Sequence, residues 1–241
     1  GELHHGDVPA ERDALAEEGL AMARRIDDSA LLAWAATTGF IATWQVGHTE
    51  RRWRTIDGVL ADAERTGGAA AVGEVVWTRL LTYRAIAAME TSRITVMWRD
   101  VAEARRLAEQ LRLPYALLVL NGIELPWRAM RGEFDRGEEL ITEVDDLAAR
   151  TSAPARPFVI VSSRLLVRIW QGRAAECVVP LRAVHAVAPS VVAPLYLLAL
   201  ARAGERAEAQ TLVDSGRYTL DSRTWTATFN LAVAAEAAFV I

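Results

Sequence analysis

The stretch Met130-Arg131-Gly132-Glu133-Phe134-Asp135-Arg136-Gly137-Glu138-Glu139-Leu140 predicts a helix that ends, a tight turn, and a second helix that begins at once. Gly132 can close the first helix because glycine adopts left-handed backbone angles without the clash that a Cβ atom causes. Asp135, Glu138 and Glu139 place negative charge near the start of the second helix, where the helix dipole favours it.

The same pattern recurs along the chain, around Gly172, around Gly204 and more loosely around Gly47. A helix–turn–helix unit that returns roughly every 32 to 43 residues is typical of a helical-repeat solenoid. No stretch alternates apolar and polar residues for long enough to predict a sheet. The sequence therefore predicts an all-α fold, an α-α superhelix of about six antiparallel helix hairpins.

Helix boundary signals divide the chain into roughly twelve helices. Asp28 or Ser29 is expected to cap one helix, residues 70–89 are expected to form another without a break, and Leu113-Pro114 separates two more. We expect a single helical-repeat domain over residues 1–241. The chain has no initiating methionine and ends on an apolar run, so we also expect it to be a segment of a longer multidomain protein.

The composition restricts the class of protein. Just over half of the residues are apolar, which is ample for a continuous core. The single cysteine excludes an internal disulfide and fits a reducing compartment, and no apolar run is long enough to span a bilayer. We therefore expect a soluble, cytoplasmic protein without a membrane partner.

All 27 basic residues are arginine, and no lysine occurs. This bias indicates a GC-rich genome, in our interpretation that of an actinobacterium. The absence of lysine excludes a P-loop lysine, a Schiff-base lysine and the kinase lysine. The arginines are interspersed with acids and the net charge is −4, so we expect no direct contact with nucleic acid and only weak, unselective binding of duplex DNA.

The order of residues within a hairpin resembles the tetratricopeptide repeat. In that family a glycine–acid–aromatic turn precedes a helix with a small residue five positions after the glycine, and a proline follows about twelve residues later. The matching pairs are Gly132 with Gly137, Gly172 with Cys177, and Gly204 with Ala209, together with Phe134 in the turn and Pro189 at the proline position. Two hairpins depart from the pattern: Arg52 occupies the small position of one, and the turn near Glu90 has no glycine.

A second likeness covers most of the chain. The run from Trp77 to Leu140, with Leu113-Pro114-Tyr115 and the turn at Arg131 to Phe134, resembles the repeat regions of large actinobacterial signalling proteins. These carry an ATPase module of the LuxR-regulator or STAND type, or a cyclase, winged-helix or kinase domain. The resemblance implies a regulatory repeat domain of a transcriptional regulator, with catalytic and DNA-binding parts elsewhere in the parent chain.

The sequence offers no catalytic constellation. The four histidines, at positions 4, 5, 48 and 185, have no metal-ligand spacing, and Cys177 has no histidine at helical spacing beside it. No GxSxG, GxGxxG, HExxH or Walker pattern is present. We therefore predict no enzyme activity, no catalytic residues, no metal and no cofactor.

Aromatic and polar residues of the predicted first helices give two open alternatives. Trp34, Trp44, Trp77, Trp127 and Trp170 either wall a concave groove or fill the gaps between stacked hairpins. Polar groups inside apolar helices need partners when they are buried. Glu124 or Arg128 is expected to pair with Arg164 or Arg168 of the neighbouring hairpin, either as a structural network or as the polar floor of the groove.

We predict a non-catalytic sensing or scaffold domain that binds a protein, a peptide, other domains of its own chain or a small anionic effector in the groove. A free-standing adaptor for protein–protein interaction is the alternative, and an all-α enzyme is the third interpretation. The candidate binding residues combine arginine forks, aromatic walls and an amide that both donates and accepts: Tyr83, Asn121, Glu124, Trp127, Arg128 and Arg168.

Overall fold

The structure, a computed structural model, describes residues 9–44, 47–150, 156–215 and 227–240. Every regular element in these residues is helical, which confirms the all-α class. The elements in chain order are α1 (Pro9–Ile26), α2 (Ser29–Ala42), α3 (Thr49–Thr66), α4 (Ala69–Val72), α5 (Glu74–Glu90), α6 (Ile94–Gln110), α7 (Pro114–Met130), α8 (Phe134–Ala149), α9 (Arg156–Trp170), a 3-10 helix (Ala174–Cys177), α10 (Val178–Val187), α11 (Pro189–Ala203), α12 (Arg206–Asp214) and α13 (Ala227–Val240).

The described residues group into two compact units. The first contains the residues up to Leu120 and the second those from Asn121 onward, so that the division falls within α7. A single domain over residues 1–241 stays a prediction. Within the described ranges, no helix is long and apolar enough to cross a membrane.

In the first unit, α2 packs against α1, α3 and α5, and α5 packs against α3 and α6. Small residues on α2 and nearly every side chain in the middle of α5 are buried, so these two helices form the centre of the unit. The predicted cap of α2 is confirmed: the Asp28 carboxylate accepts hydrogen bonds from the amides of Ala30 and Leu31 at 2.8 and 2.9 Å.

A buried ion pair joins α5 to α6. The Arg84 Nε and Nη2 atoms donate to the two carboxylate oxygens of Asp100 at 2.6 and 2.9 Å, and Nη1 reaches Asp57 on α3 at 3.2 Å. The Asp100 side chain is 1% exposed. Because both oxygens of Asp100 are satisfied, the charge is tolerated inside the unit.

In the second unit, α11 forms the centre and packs against α9, α10, α12 and α13. Its buried residues from Val192 to Ala201 meet Leu165, Cys177, Leu181 and Leu212 in one apolar cluster. A smaller cluster joins α7, α8 and α9 through Leu125, Ala129, Leu140, Ile141 and Val167. The small residues five positions after the turn glycines, Gly137, Cys177 and Ala209, are all buried.

The hairpin turns share one backbone geometry. Gly132, Gly172 and Gly204 have φ angles of 73°, 72° and 78°, which confirms the predicted left-handed turns. In each of these turns the next residue donates its amide back across the turn, as Glu133 N does to Arg128 O at 2.9 Å. The turn near Glu90, which has no glycine, has the same geometry, because Ser92 adopts a φ of 60° and Arg93 N donates to Ala88 O at 2.7 Å.

Two predicted helices are interrupted. Residues 70–89 were expected to be continuous, but Gly73 has a φ of 87° and separates the single turn α4 from α5. The helix predicted after Gly172 begins as the 3-10 helix Ala174–Cys177 before α10. In the first case the glycine adopts an angle that no α-helix contains, and the apolar periodicity across it gave no sign of the break.

Candidate functional site

A candidate binding surface of the first unit is a groove between α1, α2 and α5. It has a volume of about 560 Å³. We name it the Trp34 groove, and its lining residues are Arg12, Leu15, Ala16, Gly19, Trp34, Ala35, Thr37, Thr38, Gly39, Ile41, Ala42, Arg79 and Tyr83. This volume lies within the range of small-ligand pockets.

Close packing of α1 on α2 forms the floor of the groove. A Cβ atom added to Gly39 would lie 3.4 Å from the Ala16 Cβ atom, a tighter approach than most Cβ atoms make. A glycine facing an alanine therefore lets the two helices approach closely at the floor. The arrangement places the larger side chains of Trp34 and Tyr83 at the walls.

Aromatic rings and a guanidinium group form one wall. Arg79 on α5 lies over the ring of Trp34, 5.0 Å from its centre. The Trp34 side chain is 53% exposed, so a ligand in the groove can reach its ring. This geometry gives a cation–π contact that holds the arginine beside the aromatic face.

Tyr83 forms the deeper part of the wall. Its ring stacks on Phe40 with centroids 4.8 Å apart and planes 9° from parallel, and only 8% of Tyr83 is exposed. Burial raises the pKa of the Tyr83 hydroxyl, although the neighbouring Arg79 charge and hydrogen bond act in the opposite direction. The hydroxyl is therefore a neutral hydrogen-bonding group at physiological pH.

The charged residues that line the Trp34 groove are all positive. Arg12 and Arg79 line the groove, and no aspartate or glutamate occurs among its lining residues. The other lining residues are apolar or small, apart from the hydroxyls of Thr37, Thr38 and Tyr83. Such a surface favours a ligand that combines an apolar portion with a negative charge.

Among the six predicted binding residues, Tyr83 lies in the Trp34 groove and the other five belong to the second unit. Asn121 is fully buried and donates to the Glu143 carboxylate at 3.1 Å. Glu124 is 5% exposed and pairs with Arg128 at 3.1 Å and with Arg136 at 3.7 Å. These contacts join α7 to α8 and favour the structural alternative for Asn121 and Glu124.

We expected ion pairs between the first helices of neighbouring hairpins. In the structure, the arginines of α9 pair instead with acids of α8, the second helix of a hairpin. Arg164 on α9 binds Asp145 on α8 instead of Glu124. Arg168 binds Glu138 on α8 and reaches Glu176 at 3.1 Å. Arginine side chains are long enough to span a hairpin, and the acids of α8 lie on the side that faces α9.

Arg128 and Trp127 keep partial access to solvent. The Arg128 side chain is 30% exposed and donates to Glu133 at 2.5 Å, and this hydrogen bond raises the pKa of the guanidinium. Trp127 is half-buried on the same helix. A binding role for these two residues and Arg168 stays a prediction.

Sequence reasoning missed Arg12 and Arg79 as groove residues. Arg79 precedes Tyr83 by four positions on α5, a spacing that puts two side chains on one face of a helix. That spacing was the available signal for Arg79. Arg12 comes from α1, and no pattern in the sequence indicates that α1 packs along α2.

The described residues form consecutive helices, and the first unit contains the Trp34 groove. Within the described residues, no three His, Cys, Asp or Glu side chains lie close enough to hold a metal ion. No protein-family model matches the chain, and no curated protein or solved structure matches it.

Proposed function

We propose that the chain is a non-catalytic binding domain that holds an acidic, partly apolar peptide segment in the Trp34 groove. The segment belongs either to a protein partner or to another domain of the same chain. In this proposal the helix hairpins form a tetratricopeptide-like superhelix. The domain serves as a sensing or scaffold part of a cytoplasmic signalling or transcriptional regulator of the actinobacterial LuxR or STAND type.

The observation that carries the proposal is the lining of the groove. Arginine is the only charged residue type in that lining, and the remaining walls offer apolar side chains and the exposed ring of Trp34. Arginine presents a planar fork that fits a carboxylate, and tryptophan is the residue that most often dominates binding energy at an interface. A ligand with an acidic side chain beside an aliphatic one would bind the arginines and also pack on Trp34.

The lining of the groove also suits recognition of a charged ligand better than catalysis. Its polar groups are guanidinium and hydroxyl groups, which recognise a charge but supply no general base at neutral pH. In this proposal the groove binds its ligand without changing it chemically.

Panning a library of random peptides against the intact chain, followed by fluorescence anisotropy of the enriched sequences, tests the proposal. We expect the enriched peptides to contain Asp or Glu near Leu, Ile or Phe. Trp34→Ala and Arg79→Ala should each weaken binding by about tenfold or more, as loss of an aromatic anchor or a charge-assisted hydrogen bond does. Arg54→Ala is the matched control, because Arg54 is an exposed arginine of the same unit outside the groove.

Enriched peptides that bind the Trp34→Ala/Arg79→Ala double variant as tightly as the unaltered chain would contradict the proposal. So would enrichment of basic peptides. If peptides fail to enrich but a small dicarboxylate binds and is lost in the double variant, the groove takes an anionic effector instead of a peptide.

A further inference from the structure

A second cavity of the first unit lies between α1, α2 and α3. Its volume is about 340 Å³, and we name it the Arg52 cavity. Leu20, Phe40 and Ile56 supply its larger apolar walls, and Arg24, Arg52 and Thr55 are among its polar lining residues. None of these six residues lines the Trp34 groove, so an inference about this cavity goes beyond the proposed function.

Arg52 is the unusual member of this lining. Its side chain is 2% exposed, and its Nη2 atom donates to Glu90 at 2.5 Å. The two other nitrogens, Nε and Nη1, are buried and have no hydrogen-bond acceptor. A buried donor without an acceptor costs roughly 1–3 kcal/mol, and more when it is charged. The structure therefore contains an arginine whose donors are only partly satisfied.

Two aromatic rings beside Arg52 do not remove this deficit. The guanidinium carbon lies 4.9 Å from the centre of the Phe40 ring and 5.1 Å from that of Trp44. Aromatic faces attract the positive charge, but the N–H bonds of a guanidinium point outward in its own plane, where an oxygen acceptor is needed. Trp44 itself donates to the other oxygen of Glu90 at 2.8 Å, so each oxygen of this carboxylate already accepts a hydrogen bond.

Arg52 occupies a position at which the repeat pattern has a small residue. In the corresponding place of three other hairpins the chain has Gly137, Cys177 and Ala209, which are small and pack against the facing helix. An arginine at such a place is costly to bury, because its charge leaves water. Its burial lowers the pKa of the guanidinium, even though Glu90 acts in the opposite direction. Packing alone would be served better by a small apolar residue.

We propose that the Arg52 cavity binds a small carboxylic acid with an apolar body, whose carboxylate accepts hydrogen bonds from the unsatisfied nitrogens of Arg52. In this proposal the apolar body contacts Leu20, Phe40 and Ile56. Arg24 and Arg51 also line the cavity, and Glu17, its one acidic lining residue, pairs with Arg51 at 2.9 Å. An inorganic anion would satisfy the arginine but leave the apolar walls without contacts, so the walls select for an organic acid.

Isothermal titration calorimetry of the intact chain with hexanoate, hexanamide and inorganic phosphate tests this proposal. Hexanoate should bind, and hexanamide should bind at least about tenfold more weakly, because it lacks the charge that strengthens the hydrogen bonds. Phosphate should give no saturable heat. The Arg79→Ala variant of the Trp34 groove should bind hexanoate as the unaltered chain does, which separates this site from the groove.

Two variants locate the binding. Arg52→Met removes the donors and should abolish the preference for hexanoate over hexanamide. Because Arg52 is buried, that variant can fail to fold, and Thr55→Phe then provides the test: it fills the cavity from the partly exposed side of α3 and should abolish hexanoate binding with helical content retained.

Three results would overturn the proposal. These are equal affinities for hexanoate and hexanamide, absence of hexanoate binding to the intact chain, and unchanged hexanoate binding by a folded Thr55→Phe variant. Phosphate binding as tight as that of hexanoate would overturn the assignment to apolar acids.

Discussion

Residues with left-handed backbone angles close the helices of this protein, but they are not all glycine. Ser92 and Arg112 have φ angles of 60° and 54°, whereas Gly132, Gly172 and Gly204 adopt similar angles without a Cβ atom. A residue with a Cβ atom pays about 1–2 kcal/mol for this conformation. The turns at Ser92 and Arg112 are therefore held by the packing of the helices on either side.

Replacing Ser92 with glycine should stabilise the protein. Ser92 is exposed, so the change loses no packing and relieves the backbone strain. We expect the free energy of unfolding in urea to rise by about 1 kcal/mol. Ser92→Ala is the control and should give no gain, since alanine keeps the Cβ atom; an equal gain in both variants would refute the argument from strain.

The sequence predicted some individual residues well. Gly132 and the Asp28 cap follow from local chemistry, because a glycine turn and an N-cap depend on residues next to them in the chain. The roles of Asn121 and Glu124 depend on Glu143 and Arg136, which come from another helix. Sequence reasoning could say that these groups need partners, but it could not identify the partners.

At the scale of helices, small residues determine how closely the two helices of a hairpin pack together. Gly137 on α8 faces Val167 on α9, and a Cβ atom at Gly137 would lie 3.5 Å from both methyl groups of that valine. This is an ordinary contact distance for one added carbon atom, but there is no room for a longer side chain.

Two substitutions at Gly137 should have opposite effects. Gly137→Ala fits the space and removes the conformational freedom of glycine in a helix, so the free energy of unfolding should increase by about 0.5–1 kcal/mol. Gly137→Leu overpacks the crossing and should cost about 1–3 kcal/mol. Thermal or urea denaturation measures both, and a Leu variant as stable as the Ala variant would show that α8 and α9 do not close at this residue.

The sequence predicted most helices because their boundaries have local signals. Proline, glycine and capping residues mark the start or end of α2, α7 and α11. The break at Gly73 was missed because glycine occurs inside helices as well as between them. The Trp34 groove could not be predicted as a unit, since it requires α1 to lie along α2 at the contact between Ala16 and Gly39.

At the scale of the whole molecule, many glutamates of the described residues pair with arginines. Hydrogen bonds from Arg168 hold the pKa of Glu138 below its usual value, and Arg182 and Tyr196 have the same effect on the pKa of Glu208. Glu90 differs, because burial raises its pKa despite the nearby Arg52. These shifts make the stability of the fold depend on pH.

The folded protein should lose stability in acid. Where a folded-state pKa is depressed, the unfolded chain takes up protons first as the pH falls, so the stabilisation present above the ordinary value of 4.5 is lost below it. Urea unfolding at about pH 7 and about pH 3 should show this loss, and Glu138→Gln should reduce it. Glu90→Gln removes a carboxyl whose pKa is raised on folding, so this variant should lose more stability between about pH 7 and about pH 3. If Glu138→Gln leaves the acid-induced loss unchanged, Glu138 is not a source of the pH dependence.

The whole-molecule architecture was the hardest part to predict. Periodicity indicated helices and recurring turns, and both are present. Neither periodicity nor spacing indicates where contacts between helices become dense, and the two compact units depend on those contacts. The superhelix and the single domain therefore stay predictions, whereas the all-α class follows directly from the sequence.

Because Cys177 is buried, the reactivity of its thiol reports on local opening of the second unit. The chain has one cysteine, it lies in the apolar cluster around α11, and burial raises the pKa of its thiol to about 11. An alkylating reagent needs the thiolate, so in the native state the sulfur is both shielded and largely protonated. The rate of Cys177 alkylation therefore measures how often this part of the molecule opens, and no engineered label is needed.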